Sequence, residues 1–176
     1  MTRKAALFWP IVVGVVITDF ATKQLAVAHL TPPYVPHDVV GHFIRFTLAY
    51  NPGAAFSMSL GSASRWGFAT LAIVALFALA MLYRAAPSND VVQAVAIALI
   101  AGGALGNLID RVRSARGVID FVDIGTAGWR FWTFNAADAA VTGGAVLLAW
   151  TLWRHGQHAA PLESADTANI SRPPSR

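Results

Sequence analysis

Cysteine is absent from this 176-residue chain. The absence excludes disulfides, thiolate zinc sites, cysteine nucleophiles and anchoring of the chain itself through a lipid-modified cysteine. Charged residues are also scarce, because they make up 12% of the chain against 56% hydrophobic residues. That composition is too apolar for an ordinary soluble domain of this length. We therefore expect one domain whose main solvent is lipid.

Several kinds of functional site are missing as well. No serine lies in a nucleophile-elbow context, and no glycine-rich phosphate loop is present. The spacing of His29, His37 and His42 fits no metal motif. The formal charge is +4, but the basic residues are scattered singly and form no stripe for nucleic acid. We predict no metal, no cofactor and no nucleic-acid partner, and we attribute the basic charge to a membrane surface.

Four apolar stretches approach the roughly 20 residues that a helix needs to cross a bilayer. We predict transmembrane helices at residues 5–30, 66–83, 91–109 and 136–153, in a single domain of residues 1–154. The polar, proline-containing tail, residues 155–176, is predicted to be disordered. A cleaved signal peptide is the alternative for the first stretch, because Ala26-Val27-Ala28 resembles a cleavage site, but the apolar run is longer than usual for one.

Extended segments occur in the two connections on one side of the membrane. Residues 42–50 alternate in polarity and end at Asn51-Pro52-Gly53, and residues 118–124 and 129–134 flank a turn. Backbone at membrane depth needs hydrogen-bond partners, so we predict a small antiparallel sheet at the interface. Trp129 and Trp132 would lie at headgroup level. Residues 31–41 are predicted to be a loop that is long enough to act as a lid.

Taken alone, the charge bias of the loops would favour a topology in which the strand side faces the cytoplasm. More basic residues fall on the strand side than on the short-loop side. Those on the strand side are Arg45, Arg65, Arg111, Arg113, Arg116 and Arg130, and those on the other are Arg3, Lys4, Arg84 and Arg154.

Two carboxylates occupy unlike surroundings. Asp120 lies within an apolar run, where desolvation would raise its pKa, and Asp138 follows Asn135 at the start of the fourth helix, where the helix N-terminus favours an ionised carboxylate. Such a pair suits general acid and base chemistry if the fold brings the two together. In the structural alternative, Asn135 and Asp138 only cap the helix and Asp120 pairs with an arginine.

Other polar and small residues lie on helix faces. Asp19 and Lys23 are four residues apart and can pair. Gly103, Asn107 and Arg111 share one face, on which small residues permit close helix packing. In the structural alternatives, Asn107 hydrogen-bonds to backbone within the bundle and Arg111 snorkels to the interface.

Four separated blocks in one order give the sequence a recognisable pattern. They are Asp19-Phe20-Ala21-Thr22-Lys23, then Asn51-Pro52-Gly53-Ala54-Ala55-Phe56-Ser57, then Gly102-Gly103-Ala104-Leu105-Gly106-Asn107-Leu108-Ile109-Asp110-Arg111, and finally Val118-Ile119-Asp120-Phe121 with Phe134-Asn135-Ala136-Ala137-Asp138. In these blocks the chain resembles the bacterial lipoprotein signal peptidases.

The resemblance implies a mainly α-helical inner-membrane protein with both termini and the tail in the cytoplasm and the sheet on the outer face. It implies an aspartyl peptidase, with Asp120 and Asp138 as the catalytic pair, that removes the signal peptide of prolipoproteins before a diacylglyceryl-modified cysteine. The residues that would line or support the site are Asp19, Lys23, Asn51, Gly53, Gly103, Asn107, Arg111 and Asn135. We expect a monomer whose partners are these substrates and membrane lipid.

The sequence departs from the family pattern at two places, and two other functions remain as alternatives. Phe20 stands where the family usually has glutamine, and residues 112–117 are about one residue longer than usual. A small proton-coupled transporter would also use intramembrane aspartate and arginine residues. A noncatalytic assembly factor could use Gly102 and Gly106 for helix association.

Overall fold

A computed structural model describes residues 3–53 and 64–159 of the chain. The described residues form four helices that are long and apolar enough to cross a membrane, which confirms the prediction. They are α1 (Arg3–His29), α2 (Ser64–Ala85), α3 (Val91–Arg113) and α4 (Ala136–Ala159). The start of α3 and of α4 coincides with the predicted residue, where Asp90 and Asn135 supply side-chain caps.

Helix α3 is the centre of the bundle, because α1, α2 and α4 all pack against it. Its small residues allow this close approach. A Cβ atom added to Gly102 would lie 2.8 Å from the Cβ of Val15 in α1. Phe8 and Val12 of α1 pack with Ile97 of α3 in a buried apolar cluster.

A three-stranded antiparallel sheet extends from one end of the bundle, in the order β1 (Pro36–Val40), β2 (Ile44–Asn51), β3 (Val118–Ile124). Leu48 of β2 and Ile119 of β3 pack against Ala26 near the end of α1, so the sheet rests on that helix. A bulge in β2 between Phe46 and Ala49 shifts the register against β3. The sheet and the helices together confirm the predicted fold class.

Strand β1 lies in residues 31–41, which we predicted to be a loop long enough to form a lid. Prolines disfavour a β-strand, so the sequence of this segment does not predict one. Pro36 is nevertheless tolerated, because it is the first residue of an edge strand and no ladder hydrogen bond requires its missing N–H.

The predicted strand at residues 129–134 is wrong. This segment makes two isolated bridges, Val122 with Phe134 and Gly125 with Arg130. Between them two residues of one arm, 123 and 124, face three of the other, 131–133. The extra residue interrupts the ladder, so the segment is an irregular hairpin arm and not a strand.

Helix α4 continues to Ala159, a few residues beyond the predicted start of the tail at about residue 155. Polar residues beyond the apolar span still satisfy their backbone groups by continuing the helix. His155 contributes a side-chain contact, because its Nε2 lies 3.3 Å from Asp90 Oδ2 at the start of α3. Residues 160–176 of the predicted tail lie outside the described residues.

Candidate active site

Asp120 lies on β3 where the sheet meets the bundle, and its side chain is buried, with 3% of the residue exposed. Asn135 Nδ2 donates to its Oδ1 at 2.7 Å, and the side chain of Asn51 is a further hydrogen-bond partner. Burial, followed by the negative charge of Asp138, raises the pKa of Asp120 to about 7, against the lowering effect of the two amides and Lys23. A carboxyl in this setting can hold a proton near neutral pH.

Asp138 lies in the first turn of α4 and accepts hydrogen bonds from two residues. Asn107 Nδ2 donates to Oδ1 at 2.8 Å, and the backbone N–H of Asn135 donates to Oδ2 at 3.1 Å. In return the Asp138 N–H donates to Asn135 Oδ1 at 2.9 Å, which completes a reciprocal cap. The capping alternative is therefore confirmed as a contact, and it holds the carboxylate in place beside Asn107.

Asn135 joins the two carboxyl groups. It is completely buried, its side-chain amide donates to Asp120 and its backbone amide donates to Asp138. Its Nδ2 also lies 3.2 Å from Asn107 Oδ1. The fold thus brings together two acids that are 18 positions apart in sequence, which sequence spacing could not establish.

Lys23 is the centre of a second group of contacts behind this pair. Its Nζ donates to Asp19 Oδ2 at 2.7 Å and to Asn107 Oδ1 at 2.9 Å, and it lies 2.8 Å from Asp110 Oδ2. Asp19 Oδ1 accepts from the backbone N–H of Ala137 at 3.0 Å. Lysine at this position therefore orients Asn107, while Asp19 anchors the first turn of α4, which carries Asp138.

Asp110 is a site residue that we did not predict. Besides its ion pair with Lys23, its Oδ2 accepts from the backbone N–H of Ile119 at 3.3 Å, next to Asp120. The sequence did carry a signal, because Asp110 is three residues after Asn107 and therefore lies close to it on the helix surface.

Asn51 and Gly53 form the turn at the end of β2. Asn51 Oδ1 accepts from the Gly53 N–H at 3.0 Å, and Gly53 has a positive φ of 114° that favours glycine. A Cβ atom on Gly53 would also lie 2.9 Å from Phe68 Cδ2. The turn holds Asn51 opposite Val118, close to Asp120. Residues 54–57 of this motif lie outside the described residues.

Gly103 and Arg111 complete the predicted set. A Cβ atom on Gly103 would collide with the Ala137 carbonyl oxygen and lie 2.7 Å from Val141 Cγ2, so glycine is needed for α3 to approach α4. Arg111 Nη1 donates to the Asn107 carbonyl at 3.1 Å, and its positive charge acts on Asp138, Asp120 and Asp110. Its Nε is buried without a hydrogen-bond partner among the described residues.

Phe20 lies outside this network. Its side chain is 42% exposed, and the Arg113 guanidinium lies 4.9 Å from its ring centre. The two departures from the family pattern therefore contact each other, because Arg113 belongs to the longer 112–117 segment. Neither contacts Asp120 or Asp138 in any described hydrogen bond or ion pair.

Comparison with known proteins places the chain among relatives. The family model for Peptidase_A8, signal peptidase (SPase) II, matches residues 11–154. The chain is 38% identical over 157 residues to the lipoprotein signal peptidase of Hydrogenovibrio crunogenus, covering 86% of this chain and 90% of that protein. It is 40% identical over 147 residues to that of Pseudomonas aeruginosa, covering 82% and 86%. The chain belongs to the signal peptidase II family.

Solved structures of bacterial membrane enzymes are similar to this chain in fold. A bacterial membrane enzyme solved by the in meso method at 2.3 Å superposes with a TM-score of 0.73 and 32% identity, covering 96% of this chain and 94% of that one. A second, solved at 1.9 Å, gives a TM-score of 0.71 and 36% identity, covering 82% and 91%. The fold is therefore that of a multi-pass membrane enzyme, and the family makes it an aspartic peptidase.

Proposed function

We propose that this member of the signal peptidase II family removes signal peptides from prolipoproteins by cleaving before a diacylglyceryl-modified cysteine, with Asp120 and Asp138 as its catalytic pair. The observation that carries the proposal is the bridging of the buried Asp120 carboxyl and the partly buried Asp138 carboxyl by Asn135. The family name describes the activity, and the carboxyl pair provides an acid and a base for it.

The two acids divide the chemistry by their surroundings. Asp138 is in the first turn of α4, where the helix N-terminus favours the carboxylate, so it serves as the base that takes a proton from water. Asp120 holds a proton near neutral pH and donates it to the carbonyl oxygen as the water oxygen attacks the carbonyl carbon. The tetrahedral intermediate collapses when Asp138 passes its proton to the leaving nitrogen. Asp120 recovers a proton from the diol as the C–N bond breaks.

The supporting residues act through position and charge. Asn107 and Asn135 hold the carboxyl oxygens, and Lys23 in turn holds Asn107. Arg111 brings a positive charge to the same group of acids, which stabilises the charge that develops on them. We propose that the protein acts as a monomer.

The location of the site suits a substrate that stays in the bilayer. The acids lie at the junction of the helices with the sheet, beside the hairpin arm whose exposed side chains include Trp129 and Trp132, residue types that favour the headgroup region. A diacylglyceryl group keeps the scissile bond at that level, so the enzyme supplies water and carboxyl groups there. Membrane lipid is thus part of the working surroundings of the site.

A cleavage assay tests the proposal. Purified protein would be given a diacylglyceryl-modified prolipoprotein and the same precursor without the lipid. We expect wild-type protein to process only the modified precursor and Asp138→Asn to process neither. Asp38→Asn, an exposed carboxylate on β1, is the matched control and should behave as wild type. Equal turnover of both precursors would refute the lipid requirement, and processing by Asp138→Asn would refute the catalytic assignment.

We further propose that the sheet faces outward from the inner membrane and that both termini are cytoplasmic. The charge bias opposes this orientation, but several strand-side arginines have partners within the fold. Arg45 and Arg130 pair with Asp123, and Arg65, Arg113 and Arg116 lie over the rings of Trp66, Phe20 and Tyr50. They are thus accounted for by local structure and need not face the cytoplasm.

The absence of native cysteine allows a direct test of orientation. Single cysteines would replace Ala127 in the exposed turn after β3 and Ser88 in the exposed α2–α3 turn. A membrane-impermeant maleimide applied to spheroplasts should label Ala127→Cys and leave Ser88→Cys unlabelled until the membrane is broken. The reverse labelling would show that the charge bias gave the correct orientation.

A further inference from the structure

Asp123 is a buried carboxylate that the mechanism above does not use. It lies on β3 three residues after Asp120, and 5% of the residue is exposed. Its Oδ2 accepts from Arg45 Nη2 at 2.8 Å, Arg45 Nε at 3.1 Å and Thr47 Oγ1 at 3.2 Å. Its Oδ1 accepts from Arg130 Nε at 2.6 Å. One carboxylate thus receives four hydrogen bonds from two other chain segments.

Those segments carry the groups that surround Asp120. Arg45 and Thr47 are on β2, which ends at Asn51, a hydrogen-bond partner of Asp120. Arg130 is on the hairpin arm that leads to Asn135, the residue that joins both acids. Asp123 itself is on β3 with Asp120. The contacts of Asp123 therefore connect the three segments from which Asn51, Asp120 and Asn135 reach the site.

Backbone pairing between these segments is interrupted in two places. The β2 ladder is interrupted between Phe46 and Ala49, and beyond Val122 the hairpin arm makes only isolated bridges. A weakly specified register is prone to slip. The guanidinium of Arg130 adds two hydrogen bonds to this set of contacts. Its Nη1 donates to the His42 carbonyl at 3.0 Å, and its Nη2 donates to the Asp123 carbonyl at 3.3 Å.

We infer that Asp123 is a positioning residue for the peptidase reaction, which fixes Asn51 and Asn135 against Asp120 from the opposite face of the sheet. The inference rests on the proposed function of Asp120. Successive side chains of a strand point to opposite faces, so residues 120 and 123 of β3 do not compete for the same space.

The charge balance keeps Asp123 ionised. Burial raises the pKa of the Asp123 carboxyl, but the hydrogen bonds and charges of Arg130 and Arg45 outweigh burial and hold the pKa below its usual range. The ion pairs of Asp123 with Arg45 and Arg130 therefore persist across the pH range in which Asp120 titrates.

The test compares Asp123→Asn with Asp123→Glu and with Asp38→Asn, a carboxylate on the exposed edge of the same sheet. We expect Asp123→Asn to lower kcat by about 10-fold to 100-fold, the effect of a misplacement of order 1 Å. KM should change by less than about 2-fold, since uniform substrate binding is untouched. Asp123→Glu should recover part of kcat, and Asp38→Asn should match wild type.

The pH profile separates positioning from simple loss of stability. Hydrogen bonds from Asn51 and Asn135 lower the pKa of Asp120. Of the charged groups on the neighbouring helices, Asp138 raises this pKa and Lys23 lowers it. If Asp123→Asn weakens the hydrogen bonds that Asn51 and Asn135 make to Asp120, the pKa of Asp120 rises. The alkaline limb of the pH–rate profile then moves to higher pH. A lowered melting temperature with unchanged kcat and an unchanged profile would overturn the inference.

Two further variants test the positioning role and the proposed function separately. Where Asp123→Asn fails to fold, Arg130→Lys removes the guanidinium fork but retains the charge, and the same changes in kcat and pH profile are required of it. Asp120→Asn, measured in the same assay, tests the proposed function separately. An inactive Asp120→Asn beside a normal Asp123→Asn would refute only the positioning role.

Discussion

The two ends of the helix bundle use their polar residues in different ways. At the short-loop end each group joins a helix end to one other helix: Lys4 Nζ on α1 donates to the Tyr83 and Ala86 carbonyls at the end of α2. Asp90 Oδ1 accepts from the Gln93 N–H at the start of α3, and its Oδ2 lies 3.3 Å from His155 Nε2 on α4. At the strand end the buried groups share partners across α1, α3, β3 and α4. The short-loop contacts join helix ends in pairs, whereas the shared network fixes residues of four elements relative to one another.

Removing the centre of the shared network should have the largest structural effect. Lys23→Met leaves Asp19 and Asp110 buried without their cation, a change that costs about 3–5 kcal/mol for a broken buried pair. We expect loss of activity and a marked fall in melting temperature in detergent. Adding Asp19→Asn and Asp110→Asn to this variant should restore part of the stability; no recovery would show that the charges are not the cause.

Helix spacing at the strand end gives the next prediction. Gly103→Ala pushes α4, and Asp138 with it, away from α3, at a cost of about 1–3 kcal/mol for overpacking. The specific activity of folded protein should fall by about 10-fold or more. Gly143→Ala is the matched control on the same helix pair, because a Cβ atom there meets nothing within 4 Å. Equal activity of both variants would contradict a positioning role for the close contact.

The pH dependence tests the unlike surroundings of the two acids. Because the pKa of Asp120 is raised to about 7, its proton is present below that pH and lost above it. We expect kcat to decline as pH rises through about 7 and to stay low at higher pH. A kcat that stays constant from about pH 6 to about pH 9 would contradict the role of Asp120 as the proton donor.

The smallest effect should come from the short-loop end. Lys4→Met removes hydrogen bonds to the last carbonyls of α2 and should lower stability by about 1 kcal/mol. The kcat of the folded fraction should stay at the wild-type value, because no residue of the active site depends on this contact. A fall in kcat without a fall in melting temperature would show that the two ends are coupled.

The same contrast explains what could be predicted from sequence. The four spans, the Asp19–Lys23 pair and the Asn135–Asp138 cap depend on residues within one helical turn or one apolar run, and all are present in the structure. Strand β1 and the irregular hairpin arm were mispredicted, because edge position and a one-residue register shift are set by tertiary pairing. The role of Asp110 was missed for the same reason, since its partner Ile119 lies on another element.

The most direct test of the central claim is the comparison of Asp120→Asn, Asp138→Asn and the double variant in cleavage of a diacylglyceryl-modified prolipoprotein. Residues that act as one unit give grossly non-additive losses. The account predicts that each single variant loses at least about 100-fold in kcat and that the double variant loses no more than either. Substantial turnover in a single variant, or losses that multiply in the double variant, would show that the two carboxyl groups do not act as a pair.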